Sequence, residues 1–318
     1  MKKIVIVVPA YNEADNLPVL VDAIIKDVTC CQVSQILFVN DGSTDNTSVI
    51  LRELKKKHDF VDFISFSKNF GHQLALKAGI DFVNIDSDTA LITMDADLQH
   101  PPKIINEMVK QWVKGYNIVN SIRLAEVKQS KFKKITSSLY YRVINFLSNV
   151  DIKSGTADFR LIDYKVVNVC KSLNECGSFF WRGLIPWIGF KQCFIEYIPE
   201  KRMYGESKYS LKKMFKLALN GILTFSLLPL RFATFLGLIL ILLSVLYSFY
   251  IIIQLISGNA VPGWASLILV NLILSSFQIL LLGVFGEYLG KIYVGSLKRP
   301  MYIIESSSKD LASKESVN

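Results

Sequence analysis

The stretch Ala90-Leu-Ile-Thr-Met-Asp-Ala-Asp-Leu-Gln-His-Pro-Pro102 holds the densest chemistry in this chain. A short apolar run halts at two carboxylates, Asp95 and Asp97, followed by the amide of Gln99 and a proline pair. Three hard oxygen donors at alternate positions suit Mg2+ or Mn2+, above all when phosphate oxygens complete the shell. Leu91 to Met94 reads as a buried strand, because the run is short, continuous and apolar. Open α/β sheets collect ligands where such strands end. The pattern therefore points to a metal-held nucleotide diphosphate. A loop cap would use the same residue types, and a second Asp-x-Asp, Asp86-Ser-Asp88, lies before the strand. That position assigns the second pair to a solvated turn at the opposite edge of the sheet.

Three other strand-like runs also end in polar residues. The first leads into Pro9-Ala-Tyr-Asn-Glu13, the second into Asn40-Asp-Gly-Ser-Thr-Asp45 and the third into Ser67-Lys-Asn-Phe-Gly71. Turn formation accounts for one Asp-Gly-Ser. Four such ends together predict a shared crevice lined by carboxylates, hydroxyls and backbone, as nucleotide binding requires. Neither G-x-G-x-x-G nor G-x-x-x-x-G-K-[ST] occurs, which disfavours a dinucleotide fold or a P-loop.

The elements that must position these residues alternate. Strand signals fall at Ile4 to Val8, Ile36 to Val39, Phe63 to Phe66, Leu91 to Met94 and Ile118 to Val119. Helical patterns fall between them, at Asn16 to Lys26, Thr47 to His58, Gln73 to Val83 and Lys103 to Lys114. This alternation predicts a parallel, doubly wound α/β sheet.

The 318 residues are 51% hydrophobic, and the excess is local. No charge occurs from Phe232 to Ile256 or from Trp264 to Phe285. At about 1.5 Å per residue, each run is long enough for a ~30 Å hydrocarbon core. The sequence thus predicts a cytoplasmic domain over about 1–230, two membrane helices within 231–290 (about 232–256 and 264–286) and a cytoplasmic tail over 291–318. The tail is expected to be disordered after Glu305, since it is polar and rich in Ser and Lys.

The loop joining the helices has no Lys or Arg, whereas Lys201 to Lys216 holds six basic residues against one Glu. The positive-inside rule then places both termini in the cytoplasm. Met1-Lys-Lys leads directly into a strand-like run, so no signal peptide is expected. Lys-rich amphipathic segments at about 131–148 and 210–228 read as interfacial helices. The net charge of +9 clusters beside the apolar spans, so anionic lipid is the expected partner and nucleic acid is not. Five cysteines show neither zinc spacing nor C-x-x-C and are expected to be reduced. Asn271, Ser275 and Gln278 form a polar seam, with Gly286 and Gly290 just beyond, which predicts a homo-oligomer.

Taken together, Val8-Pro-Ala-Tyr-Asn-Glu13, Asn40-Asp-Gly-Ser43, Asn69-Phe-Gly71, Lys77-Ala-Gly79 and Asp95-Ala-Asp-Leu-Gln-His-Pro-Pro102 resemble family 2 glycosyltransferases of GT-A fold. More narrowly the chain is similar to the polyprenyl-phosphate glycosyltransferases. The resemblance implies that Pro9, Tyr11, Glu13, Asp41 and Gly71 serve the nucleotide-sugar donor. Asp95, Asp97 and Gln99 would hold the metal, with Asp95 also on the donor diphosphate. Gly155-Thr-Ala-Asp-Phe-Arg160 resembles a segment in which Asp158 faces sugar and acceptor, and Asp97 and Asp158 are the catalytic candidates. Arg202-Met-Tyr-Gly-Glu-Ser-Lys208 resembles a phosphate-binding loop, which makes Arg202, Ser207 and Lys208, together with Arg123, candidates for the acceptor phosphate.

The activity so implied is inverting transfer of a hexose, with UDP-glucose preferred over a GDP-mannose donor, to polyprenyl phosphate. A lipid phosphate is already an anion, so positioning and charge control outweigh base assistance. Asp158 is therefore expected to orient substrate groups, although a base role is open to it. A processive polysaccharide synthase would need Gln-x-x-Arg-Trp, but the chain has only Phe180-Trp-Arg182. A membrane anchor or translocase would not need Asp95, Asp97 and Asp158 together.

Overall fold

The computed structural model describes residues 2–124, 153, 155–173, 181–200, 228–257, 263–297 and 299–309. The expected interfacial helices at about 131–148 and 210–228, and the residues Arg202, Ser207 and Lys208, lie outside the described residues, apart from Leu228.

The alternating signals fold as expected. β1 (Lys3–Ala10), α1 (Asn16–Asp27), β2 (Gln32–Asn40), α2 (Thr47–Lys57), β3 (Val61–Phe66), α3 (His72–Phe82), β4 (Thr89–Thr93), α4 (Ile104–Val113) and β5 (Ile118–Arg123) follow in order. Then come β6 (Thr156–Asp163), α5 (Tyr164–Ser172), α6 (Trp181–Trp187), β7 (Gln192–Tyr197), α7 (Leu228–Ile256), α8 (Trp264–Ser296) and β8 (Ile304–Ser307). One eight-stranded sheet has the order β7-β5-β6-β4-β1-β2-β3-β8.

The sheet is mixed, not purely parallel. β1 to β4 run parallel, whereas β6 is antiparallel to both β4 and β5, and β8 is antiparallel to β3. Both faces are covered. Ile4, Ile6, Val8, Ile36, Phe38 and Ile92 pack in one apolar layer with residues of α1, α2 and α4. Val5, Val7, Leu37, Val39 and Leu91 pack in the other with residues of α3, α5 and α6. Burial of alternate residues on opposite faces is why these strands read as continuous apolar runs. β1 is the switch point, with β2 on one side and β4 on the other. The ends of β1 and β4 therefore open one crevice, where doubly wound sheets bind ligands.

Residues 304–309 are described, and the rest of the tail expected to be disordered after Glu305 lies outside the described residues. After α8 the chain returns to the sheet, where β8 pairs with β3. Tyr302 stacks on Phe66 with centroids 5.3 Å apart and donates its hydroxyl to Asp81 at 3.0 Å. Ser308 donates to Asp62 Oδ1 at 2.8 Å. A short polar strand at a sheet edge carries little periodic signal, because one partner strand holds it by backbone bonds.

Among the described residues one stretch, Phe277–Ser296, is long and apolar enough to cross a membrane by length and composition. That stretch overlaps the second span expected at about 264–286 and includes Glu287 and Lys291. α7 and α8 touch each other and expose large apolar side chains, including Phe235, Leu242, Ile256, Leu267, Leu282 and Phe285.

Candidate active site

The loops after β1 and β2 are tied together by side chains. Asn12 exchanges bonds with Thr44, its Oδ1 accepting the Thr44 N–H at 2.8 Å, and its own N–H donates to Ser43 Oγ at 3.0 Å. The Glu13 N–H donates to Thr47 Oγ1 at 3.1 Å. Asn12 adopts a left-handed φ of 54°, which Asn tolerates better than most residues. Pro9 is buried within β1, while Tyr11 and Glu13 are partly exposed at its end. Gly42 meets the loop after β3 so closely that a Cβ would stand 2.3 Å from the Lys68 carbonyl carbon.

Asp41 is turned inward. Its Oδ1 accepts the Phe70 N–H at 2.7 Å, and Oδ2 accepts the Gly71 N–H at 3.0 Å. The carboxylate thus fixes the loop that begins α3, with 3% of the residue exposed. Burial raises its pKa against the pull of these two donors.

The segment after β4 alternates in exposure. Asp95, Asp97 and Gln99 are partly exposed, and Ala96, Leu98 and His100 are buried. Leu98 has a φ of 62°, a left-handed conformation that costs a residue with a Cβ. This turn, closed by the Gln99 N–H to Asp97 Oδ1 bond at 3.2 Å, sets the three polar side chains along one rim. Among the described residues no group of three or more His, Cys, Asp or Glu side chains could cage a metal unaided. Two carboxylates and an amide fit Mg2+ or Mn2+ whose shell is completed by substrate oxygens, and do not fit a closed structural site. Asp86 and Asp88 sit on the opposite edge as a turn, Asp88 accepting a bond from Lys2 at 2.9 Å.

Asp158 on β6 lies beside this rim, because β6 is inserted between β4 and β5. Its Oδ1 accepts from Arg160 Nη2 at 2.9 Å and its Oδ2 from Arg182 Nη2 at 3.3 Å. Gln73 Nε2 adds a bond at 3.4 Å, and His72 Nε2 stands 3.6 Å from Asp158 and 3.7 Å from Asp95. Burial alone would raise the pKa of this carboxyl, but Arg182, His72 and Arg160 together hold it well below its ordinary value. A carboxylate so stabilised is a weak proton acceptor, so the geometry favours orientation over base catalysis.

Asp95 is likewise held below the usual carboxylate range, with His100 and His72 outweighing burial. The same carboxylates raise the pKa of His72 against the opposing effect of burial. Arg123, at the end of β5, is joined to this rim through Tyr197 and His100.

The sequence reading did not select His72, His100, Arg160, Arg182 or Tyr197. One signal was available, since the chain has three histidines and two of them stand at these carboxylates.

The glycosyl transferase family 2 profile matches residues 5–170, about half of the chain and the part that holds this crevice. The chain belongs to glycosyl transferase family 2. This glycosyltransferase is 41% identical to the glycosyltransferase YkcC of Bacillus subtilis, covering 95% of this chain and 93% of that one. It is 36% identical to the bactoprenol glucosyl transferase of Shigella phage SfV, over 96% and 99% of the two chains. Among solved structures it resembles glucosyl-3-phosphoglycerate synthase of Mycobacterium tuberculosis, in complex with Mn2+, UDP and its product. That likeness has a TM-score of 0.51 at 14% identity, covers 70% of this chain and 78% of the other, and bears on the fold alone. The GT-A-like sheet and the glycosyl-transfer class expected from the sequence are thus borne out.

Proposed function

We propose that the enzyme transfers a hexose, most simply glucose from UDP-glucose, to a polyprenyl phosphate at the cytoplasmic face of a bacterial membrane. The observation that carries this reading is the juxtaposition, beside the β1/β4 switch point, of an oxygen-rich rim and a buried Asp158 paired with Arg160 and Arg182. The near full-length likeness to the Shigella phage bactoprenol glucosyl transferase supports the choice of sugar and lipid.

In this reading Pro9, Tyr11 and Glu13 border the nucleotide, and Asp41 acts on it indirectly by holding Gly71 and the start of α3. Asp95, Asp97 and Gln99 hold a divalent ion, which when bound neutralises charge on the leaving diphosphate. Asp158, fixed by Arg160 and Arg182, orients sugar hydroxyls or acceptor and stabilises positive charge that develops at the anomeric carbon. The acceptor phosphate oxygen attacks that carbon as the bond to the nucleoside diphosphate breaks, and configuration inverts. No proton has to move, because the nucleophile is already an anion.

The acceptor phosphate is assigned to Arg123, Arg202, Ser207 and Lys208. Support for the last three comes from Glu200, whose N–H donates to the Gln99 carbonyl at 3.2 Å, so the chain enters residues 201–227 beside the metal rim. A two-helix membrane hairpin is supported by the contact between α7 and α8 and by β8, which returns the chain after α8 to the catalytic sheet. Incubating membranes that contain the enzyme with undecaprenyl phosphate and radiolabelled UDP-glucose, UDP-N-acetylglucosamine, UDP-galactose or GDP-mannose tests the assignment. Label entering the lipid fraction from UDP-glucose is expected; label from none of the four refutes it.

A further inference from the structure

A buried chain of hydrogen bonds runs behind the oxygen rim. His100 Nε2 stands 3.0 Å from Asp95 Oδ2, and His100 Nδ1 stands 2.7 Å from the Tyr197 hydroxyl. That hydroxyl accepts from Arg123 Nε at 3.3 Å. His100 is fully buried and Tyr197 is 3% exposed. The imidazole packs against Phe159 at 4.9 Å between centroids, and Phe159 meets the Tyr197 ring edge-on at 5.9 Å. The direction of these bonds is read from the groups at either end. A guanidinium only donates, which makes the Tyr197 oxygen an acceptor and turns its own O–H toward His100 Nδ1. With the O–H aimed at Nδ1, the ring presents an N–H from Nε2 to Asp95. An ionised carboxylate only accepts, and it closes the chain.

We propose that His100 and Tyr197 are positioning residues that orient Asp95 for a divalent ion and couple it rigidly to Arg123. The proposal rests on the reading of Asp95 as a metal ligand. Second-layer bonds of this kind fix the direction in which a ligating oxygen presents its lone pairs, and their loss weakens metal binding by about 10–100-fold. Here the same chain also reaches the arginine assigned to the acceptor phosphate, so the two substrate sites share one buried support. His72, the other histidine near Asp95, lies 3.7 Å away on α3 and is only partly buried, so it does not substitute for His100.

The test is Mn2+ binding in the presence of UDP, followed by electron paramagnetic resonance on the full chain in detergent. His100→Gln keeps an N–H donor near the Nε2 position and is expected to bind Mn2+ within about 3-fold of wild type. His100→Asn reaches only the Nδ1 position and is expected to lose about 10–100-fold. Tyr197→Phe removes one oxygen, leaves the ring packing in place and carries the test if His100→Asn does not fold. It is expected to weaken Mn2+ by about 10-fold, because the imidazole then loses the hydroxyl that anchors its Nδ1 side and aims the ring at Asp95. Equal losses in the Gln and Asn variants mean that His100 acts by packing alone and overturn the proposal, as does a Tyr197→Phe protein with wild-type affinity. A wild-type protein that binds no Mn2+ with UDP overturns the metal reading, and this proposal with it.

Discussion

Asp158→Asn separates the structural from the chemical work of the arginine-paired carboxylate at the site. Asp158 is 6% exposed and its partner Arg160 is 2% exposed, so the substitution leaves a buried guanidinium without its counter-charge. Removing one member of a buried pair costs about 3–5 kcal/mol. The lower end applies here, because Asn keeps an acceptor for Arg160, and Arg160 also donates to the carbonyls of Trp181 and Ala157. Arg182, 34% exposed, adds little after solvent screening. A loss of about 3 kcal/mol lowers the melting temperature of a domain this size by roughly 6–12 °C. Transfer should fall by on the order of 100-fold or more, as when one electrostatic stabiliser is removed, while UDP binding persists. Differential scanning fluorimetry, UDP titration and a lipid-transfer assay read the three effects. The double variant Asp158→Leu, Arg160→Met removes both charges, and should regain most of the stability without regaining transfer. A single variant with wild-type turnover, or a double variant that recovers activity together with stability, would refute the reasoning.

Asp95→Asn and Asp97→Asn should each cut turnover by orders of magnitude while leaving the fold intact, and EDTA should likewise cut the turnover of wild type; turnover that survives both removes the metal from the reaction. Arg202→Ala should impair transfer to lipid far more than UDP binding, and equal losses would move it to the donor side. Asp62 accepts from Gln35 at 2.7 Å and from Ser308 at 2.8 Å, and although burial raises its pKa, these bonds and Lys55 bring it below its ordinary 3.8. Its contribution to holding β8 is complete above that value and lost as pH falls through the lower folded one, so protease cleavage within 299–309 should rise in that acid window for wild type and already be raised at neutral pH for Asp62→Ala. Asn271, Ser275 and Gln278 are all exposed on α8, and a Cβ at Gly286 or Gly290 would meet nothing within 4 Å. Replacing Asn271 and Gln278 with Leu should therefore lower the particle mass by light scattering, unless wild type is already a monomer.

Much of this protein was legible along the chain, for a local reason. A strand buried on both faces must be apolar throughout, so Ile4 to Val8, Ile36 to Val39 and Leu91 to Met94 announce themselves, and the polar residues that stop them mark the crevice rim. Asp95, Asp97 and Gln99 lie within five positions of one another, and only one strand end is needed to bring them together. Tertiary structure decided what those residues lean on. Asp158 reaches Asp95 through the antiparallel insertion of β6, a pairing no periodicity reveals. Tyr197 meets His100 across 97 positions because β7 lies beside β5, and Trp181 and Arg182 approach Gln73 and Asp158 from α6. Asp41 has the composition of a ligand residue, yet its carboxylate turns to two backbone N–H groups that only the folded loop supplies. β8 is polar and four residues long, and it becomes a strand because β3 offers an unpaired edge. Short-range pattern marks the polar groups on the crevice rim; long-range pairing sets their charge, direction and support.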